Sequence, residues 1–428
     1  MKTPELLAPA GTLQHMRAAF AYGADAVYAG LPRYGLRVRE NDFNLQGLGQ
    51  AIDEAHQQQK QLYVTANILA HNSKVKTFEQ DIAPVIDLKP DALIMADPGL
   101  IMLVRERWPE QPVHLSVQAN TVNYAAVKFW EKMGVERIIL SRELSLDEVE
   151  EIRQQCPEME LEVFVHGALC MAYSGRCLLS GYINHRDANQ GTCTNACRWE
   201  YKEVASEEDQ SGDLKRAEPQ RILIEEMGRP GEPIPMEEDE HGTYIMNSRD
   251  LRAVEHIQRL TEIGIDSLKI EGRTKSIYYV SRVTQAYRRA INDAVAGRDF
   301  DAGLLAELEN LASRGYTDGF FKRHHSEAYQ NYIQGNSQGH RQLYVAEITD
   351  YDPQQQLATL IAKNKFGVGD RLELILPSGN REITLQKIIG KKGVAMETVP
   401  GGGYVVQAEI DLSPEQGRYQ FGMVARFL

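Results

Sequence analysis

Short apolar runs with strand character alternate, from the start of the chain, with stretches whose apolar positions recur at three and four residues. The strand-like runs are ELLAP (5–9), AVYAG (26–30), LYVTAN (62–67), ALIMAD (92–97), VHLSVQ (113–118), RIILSR (137–142), EVFVHG (162–167) and SLKIEG (267–272). Between them, Leu13, Met16 and Phe20, then Leu45, Leu48 and Ile52, then Val122, Phe129 and Trp130 follow helical spacing. Ser145 with Glu148 predicts a capping box opening the helix that carries Leu146, Val149 and Ile152.

Eight apolar strands, each followed by a helix, predict an α/β fold with a parallel sheet covered by helices. The repeat number favours closure into a (β/α)8 TIM-like barrel over an open doubly wound sheet. No G-x-G-x-x-G follows a strand with a helix behind it, which weakens a dinucleotide-binding reading. TYIMN (243–247) is a spare strand candidate.

The repeat breaks once, after the seventh strand, with an insertion from about 168 to 248. Its stretches ASEEDQSGDLKRAEPQ and GRPGEPIPMEEDEHG read as loops. In a barrel, a loop after a strand lies on the catalytic face. Helical stretches at 276–296 and 302–313 close the barrel domain, expected over 1–335. From 342 to 428 the pattern turns to short strands without helices (LYVAEI, LATLIA, GDRLELIL, REITLQKI, GYVVQAEI, YQFGMVARF), predicting a small C-terminal all-β barrel domain.

Charge and cysteine usage narrow the function classes. The 428 residues carry 47 basic and 60 acidic side chains, a net charge of −13 that argues against coating nucleic acid or an anionic membrane with the whole surface. A local basic site remains open. No run is long and apolar enough for a membrane span, and MKTPELLAPAG lacks the pattern of a secretory signal, so a cytoplasmic protein without membrane contact is expected.

Of five cysteines, Cys156 stands alone and four follow Cys170-x6-Cys177-x15-Cys193-x3-Cys197, inside the insertion. Either these are four unconnected thiols in a loop, or four thiolates converge on one point, which is unfavourable without a metal to neutralise them. Zinc sites are usually built from two short C-x(2–4)-C pairs, and only Cys193 and Cys197 form one. The irregular spacing suits an iron–sulfur cluster better, with zinc as the alternative.

On the barrel reading, Asn67, Asp97, Gln118, Asn120, Arg142, Glu143, His166, Glu271 and Arg273 end strands on the catalytic face. His166 reads either as an acid–base group or as a packed structural histidine. Glu271 is a base or the ion-pair partner of Arg273. Lys275 and Ser276 open the helix after the eighth strand, where barrels often bind anions. Arg37 and Arg39, with Arg33 and Tyr34, form a second basic cluster whose guanidinium forks suit carboxylate or phosphate. Lys363, Lys365, Lys391 and Lys392 lie in the C-terminal module, where they suit either an RNA grip or a dimer contact.

The segments EVFVHGALC (162–170) and SGRCLLS (174–180), with ELLAPAG, GADAVYAG, LSVQAN, SRELS, GTCTNACRW, IEGRTKS and NKFGVGDRLEL, resemble peptidase family U-thirty-two, the collagenase-like peptidases, over nearly the whole chain. Within that family they are similar to a bacterial branch of tRNA-modifying factors. The resemblance implies a cytoplasmic enzyme required for 5-hydroxyuridine at the anticodon wobble position of tRNA, dependent on prephenate and on the iron–sulfur assembly machinery. It also implies that Cys170, Cys177, Cys193 and Cys197 hold a 4Fe–4S cluster. His166, Glu271 and Arg273 are then the catalytic candidates. Arg37, Arg39, Asn67, Gln118, Arg142 and Lys275 are those for substrate or anion binding, a small dicarboxylate among the anions.

Two other readings stand beside the hydroxylase. A protease, as the family name says, lacks an H-E-x-x-H, a G-x-S-x-G and a cysteine with an obvious base. A non-catalytic scaffold would bind tRNA and deliver it elsewhere. The sequence is silent on oligomeric state.

Overall fold

The computed structural model describes residues 2–31, 33–36, 43–169, 249–311, 315–322, 342–391, 393–412 and 419–428, with the backbone of five short strands between 206 and 244. Eight parallel strands form the centre: β1 (Glu5–Pro9), β2 (Ala26–Gly30), β3 (Gln61–Ala66), β4 (Ala92–Met95), β5 (Val113–Leu115), β6 (Arg137–Ile139), β7 (Glu160–Ala168) and β14 (Ser267–Ile270). Each pairs with the next in chain order, and β14 pairs with both β7 and β1, so the sheet closes on itself. This is the (β/α)8 barrel that the repeat predicts.

Helices α1 (Leu13–Ala21), α2 (Leu45–Gln57), α3 (Asn72–Ile86), α4 (Pro98–Arg107), α5 (Tyr124–Lys132), α6 (Leu146–Gln155), α7 (Ile257–Ile263) and α8 (Ile277–Val295) follow the strands. Their starts are set by side chains that accept from otherwise unbonded N–H groups. Thr12, Asn44, Asp97, Asn123 and Ser276 act so, and Ser145 with Glu148 forms the full capping box. The stripe expected on Val122, Phe129 and Trp130 is displaced: α5 starts at Tyr124, Val127 is its buried residue and Phe129 lies exposed. A surface helix can carry aromatics on its outer side, so apolar spacing alone did not select the buried face.

Strand β7 runs past the barrel rim. Its end pairs antiparallel with β13 (Asp250–Arg252), which pairs in turn with β15 (Tyr316–Thr317) after helix α9 (Gly303–Glu309). The insertion therefore leaves and rejoins the fold at the rim beside β7.

Within it, the stretches read as loops carry hairpins. β8 (Ser206–Glu208) pairs with β9 (Leu214–Arg216), and β11 (Pro233–Asp239) pairs with β10 (Ile222–Glu225) and β12 (Gly242–Tyr244). A two-stranded ladder is closed by backbone groups and needs no apolar alternation, so polar composition hid these strands. Thr243 and Tyr244 of the spare candidate at 243–247 belong to β12, and the barrel keeps eight strands. The four clustered cysteines lie outside the described residues.

The C-terminal module is an eight-stranded antiparallel sheet around its own core of Val345, Leu360, Phe366, Leu372, Leu374 and Val424. In order across the sheet, its strands are β20 (Arg381–Thr384), β19 (Arg371–Ile375), β25 (Met423–Phe427), β16 (Gln342–Asp352), β17 (Leu357–Ala362), β24 (Val405–Glu409), β21 (Ile388–Ile389) and β22 (Ala395–Met396). Strands β18 (Phe366–Gly367) and β23 (Thr398–Val399) form a separate pair. The two ends do not pair among the described residues, so the expected barrel is an open half-barrel.

It docks on α8. Arg282 presents a two-pronged fork to Glu373, both contacts 3.1 Å, and Gln342 Nε2 donates to the same carboxylate at 2.7 Å. The rings of Tyr278 and Tyr344 stack 4.7 Å apart, and Gln285 Nε2 donates to the Leu376 carbonyl. Placed between barrel and sheet, α8 is buried nearly all round.

Removing one partner of a buried pair leaves the other charge without compensation. Glu373→Ala is therefore expected to destabilise the protein by about 3 kcal/mol, the low end of that class. The remaining Glu307 carboxylate, 3.9 Å from Arg282, limits the loss. The shift in urea midpoint measures it.

Candidate active site at the barrel mouth

The barrel interior can be read off the strand registers, because every second residue of a strand points the same way. Pairing Glu5 with Ser267, Ser267 with Glu162, and Arg137 with Glu160 puts these residues on one face, and their side chains meet inside. Arg137 sits 2.6 Å from Glu5, 2.8 Å from Glu160 and 3.4 Å from Glu162. Lys269 Nζ lies 2.8 Å from Glu162 and 4.5 Å from the Tyr28 ring centre. Tyr63 and Ser267 donate to Glu5 at 2.6 and 2.8 Å.

TIM barrels usually fill this space with branched apolar side chains. Here a knot of charges replaces part of that filling. Burial lowers the Lys269 ammonium from the usual lysine range, while Glu162 pulls the other way. Burial, together with Arg137 and Lys269, holds His114 well below the usual histidine range, hence neutral.

Above this layer lies the mouth. Arg142, just past β6, stacks its guanidinium 3.8 Å from the Phe164 ring centre. Its Nη1 donates to the Ala168 carbonyl at 3.0 Å and its Nη2 to Glu271 at 3.5 Å. Its Nε is buried with no hydrogen-bond partner among the described residues. Asn67 Nδ2 donates to Ser116 Oγ at 3.2 Å, and its Oδ1 accepts from the Leu36 amide at 3.2 Å. The Gln118 side chain is buried, and the Gln118 backbone N–H donates to Ser116 Oγ at 3.4 Å.

Arg273 crosses the rim, donating to Thr65 Oγ1 at 3.0 Å and to the Leu36 carbonyl at 2.5 Å. It thereby ties the loop after β14 to the loop after β2. Arg37 and Arg39 follow Leu36 in the chain and lie outside the described residues. The Lys275 ammonium stands 5.3 Å over the Tyr279 ring, and its carbonyl bonds His15 Nε2 at 3.0 Å. Asp97 caps α4, and Glu143 accepts from Ser141. Glu271 Oε2 lies 3.5 Å from Arg142 Nη2, an ion-pair partner that the strand-end pattern did not suggest.

His166 does not join the mouth. Alternation from Glu162 and Phe164 would aim it inward, but the β7–β14 register slips between Lys269 and Ile270, pairing Ile270 with His166. The ring turns outward and packs among Tyr279, Tyr287 and Tyr316, with centroids 5.4–5.8 Å away. Tyr287 donates to the Val165 carbonyl and accepts from the Ala253 amide, so His166 Nδ1, 3.3 Å away, is assigned as the protonated nitrogen. Gly167 is needed at the slip, since a Cβ there would lie 2.5 Å from the Glu271 carbonyl and its φ is +105°.

The sequence reading singled out neither Lys269 nor Glu162. The available signal was the two-residue phase of Ser267, Lys269 and Glu271, a polar face on a strand whose other residues are apolar. Glu255, His256 and Asp318 could also converge on a cation, but Lys322 Nζ already lies 2.8 Å from Glu255 and 3.2 Å from Asp318. Thr12 and His15 touch at 2.7 Å as a nucleophile and base would, yet Thr12 serves as the cap of α1 and His15 Nε2 is bonded to a backbone carbonyl.

Residues 11–331 match Peptidase family U32, and residues 340–418 match its C-terminal domain. The chain is a member of peptidase family U32. It is 59% identical to tRNA hydroxylation protein P of Escherichia coli (strain K12), over 95% of this chain and 93% of that one. It is 55% identical to tRNA hydroxylation protein P of Haemophilus influenzae (strain Rd), over 94% and 92%. It is 31% identical to the 23S rRNA 5-hydroxycytidine synthase of Escherichia coli, over 74% of this chain and 42% of that one.

Burial depresses His166 to about 3, with Arg252 and Lys275 adding to the shift. The unfolded chain binds that proton near the ordinary value of ~6.5. Below that pH the unfolded state holds more protons, so this group's contribution to stability is full above ~6.5 and falls as pH drops toward 3. A His166→Gln variant should show a shallower loss of urea midpoint between pH 7 and pH 4.5 than the parent. Parallel curves would exclude the buried neutral imidazole.

Proposed function

We propose that this family member hydroxylates tRNA, forming 5-hydroxyuridine at the anticodon wobble position, and that the chemistry takes place at the barrel mouth. Two relatives matched over nearly their full length carry tRNA hydroxylation in their names, and a third is named for a 5-hydroxypyrimidine in ribosomal RNA. The observation that carries the reading is local. Strand β7 hands the chain into the cysteine-bearing insertion at Ala168, whose carbonyl is bonded by Arg142, and Arg142 in turn meets Glu271.

Cys170 follows Ala168 by two residues. With Cys177, Cys193 and Cys197 it offers four soft thiolates, a donor set that suits a 4Fe–4S cluster. When bound, that cluster would supply a redox or Lewis-acid centre. Prephenate, a dicarboxylate, is the co-substrate in this reading. The Nε–H of Arg142 is a buried donor suited to one carboxylate, and Arg273 and Lys275 add positive charge to the rim; by sequence, Arg37 and Arg39 are the further anion-binding candidates.

In this reading Gln118 offers its carboxamide to the substrate, and Asn67, bonded to Ser116 Oγ and to the Leu36 amide, holds the rim beside it. Glu271 is the proton-handling group, with Lys269 beneath it on the same strand face. Arg273 acts by positioning two rim loops. The setting is cytoplasmic, with the iron–sulfur assembly machinery as partner. Among the described residues no helix is long and apolar enough to cross a membrane.

The test is protein purified without oxygen, assayed for iron and sulfide, with tRNA nucleosides analysed from cells carrying each variant. Wild type should hold about four iron and four sulfide per chain, and Cys193→Ala should lose both together with wobble 5-hydroxyuridine. Stoichiometric zinc without sulfide, or full modification by Cys193→Ala, would sink the reading. Arg142→Ala should retain the cluster while raising the KM for prephenate by roughly ten- to a hundredfold, the size of a lost charge-assisted contact.

A further inference from the structure

We infer that the open sheet face of the C-terminal half-barrel is a second RNA-binding site, holding an unpaired nucleotide of the tRNA away from the reacting base. This rests on the tRNA reading above. The groove encloses about 780 Å³ over β17, β24 and the β21–β22 hairpin. Thr359, Gln407 and Ile389 stand in register across three neighbouring strands and form its floor. Tyr404 and Val394 line it and remain 47% and 63% exposed. The Tyr404 backbone is held by the Ala362 amide, 2.8 Å from its carbonyl, and its ring stacks on no other ring among the described residues.

Charge decides between occupants. In a chain with 60 acidic residues, the twelve residues lining this groove include a lysine, Lys391, and no carboxylate. Lys391 lies on the turn closed by the Gly393 amide and the Gly390 carbonyl, and Lys392 follows it in the chain. Gly390, Gly393 and Gly403 bring bare backbone to the rim, where a sugar-phosphate can approach closely.

An exposed aromatic on a sheet face, a largely apolar lining broken by Thr359 and Gln407, and a lysine with no carboxylate among the lining residues suit a stacked base and its phosphate. The module is fixed to α8 by the Arg282–Glu373 fork, so this surface is held rigidly relative to the barrel.

Full-length protein is titrated with an unmodified tRNA transcript at two salt concentrations, with Tyr404→Ala, Tyr404→Phe and Lys391→Ala beside wild type. Tyr404→Ala should weaken binding about tenfold, within the range for one base–aromatic stack, while Tyr404→Phe keeps it. Lys391→Ala should reduce the salt slope by about one. Wild-type affinity and slope in every variant would overturn the site. If in addition Tyr404→Ala lowers the sedimentation coefficient, the groove is a contact between copies of this chain. Failure of wild type itself to bind tRNA would remove the proposed function as well, and so separates the two readings.

Discussion

The knot of charges inside the barrel is the constraint on which the rest depends. Arg137 touches carboxylates from β1 and β7, and Lys269 from β14 shares Glu162 with it. The seam where the sheet closes is thus fastened by ions as well as by backbone bonds. Buried charges at this density hold only if each is paired, since an isolated one costs several kcal/mol to desolvate. The arrangement therefore fixes register: a slip of one residue on any of these strands would turn a charge outward into the apolar layer under the helices.

That fixed layer sets the level of the mouth above it. Phe164 stands one step up β7 from Glu162, and Arg142 lies across its ring. Glu271 stands one step up from Lys269 and meets Arg142. The mouth thus rests on a platform whose cations and carboxylates cannot relax independently, the preorganisation that a site stabilising developing charge requires. The register slip at Lys269–Ile270 adjusts it further, moving His166 out of the barrel and bringing the Glu271 backbone against Gly167.

The C-terminal half-barrel is tied to the same frame. Helix α8 starts directly after the rim loop carrying Arg273 and Lys275, and its first turns hold Tyr278, Arg282 and Gln285 against the second sheet. One helix therefore connects the rim of the barrel to the half-barrel. Two surfaces that engage one large nucleic acid gain from rigid spacing, because the second contact is then made without new loss of freedom.

Much of this was legible in the sequence. Eight apolar runs and their helical partners determine a parallel barrel, because apolar periodicity is local and strands buried on both faces are conspicuous. The place of the insertion, and the residues Asn67, Gln118, Arg142, Glu271 and Arg273 at strand ends, followed from the same pattern. The cysteine spacing and the family resemblance were legible too, from particular segments rather than from periodicity. Tertiary structure alone decided what depends on register and closure. It turned His166 outward through a slip that no local pattern encodes, paired Glu271 with Arg142 from a distant strand, and gathered Glu5, Arg137, Glu162 and Lys269 into one knot. It also left the C-terminal sheet open among the described residues, since closure depends on whether the first and last strands meet, and that is a property of the whole sheet rather than of any segment in it.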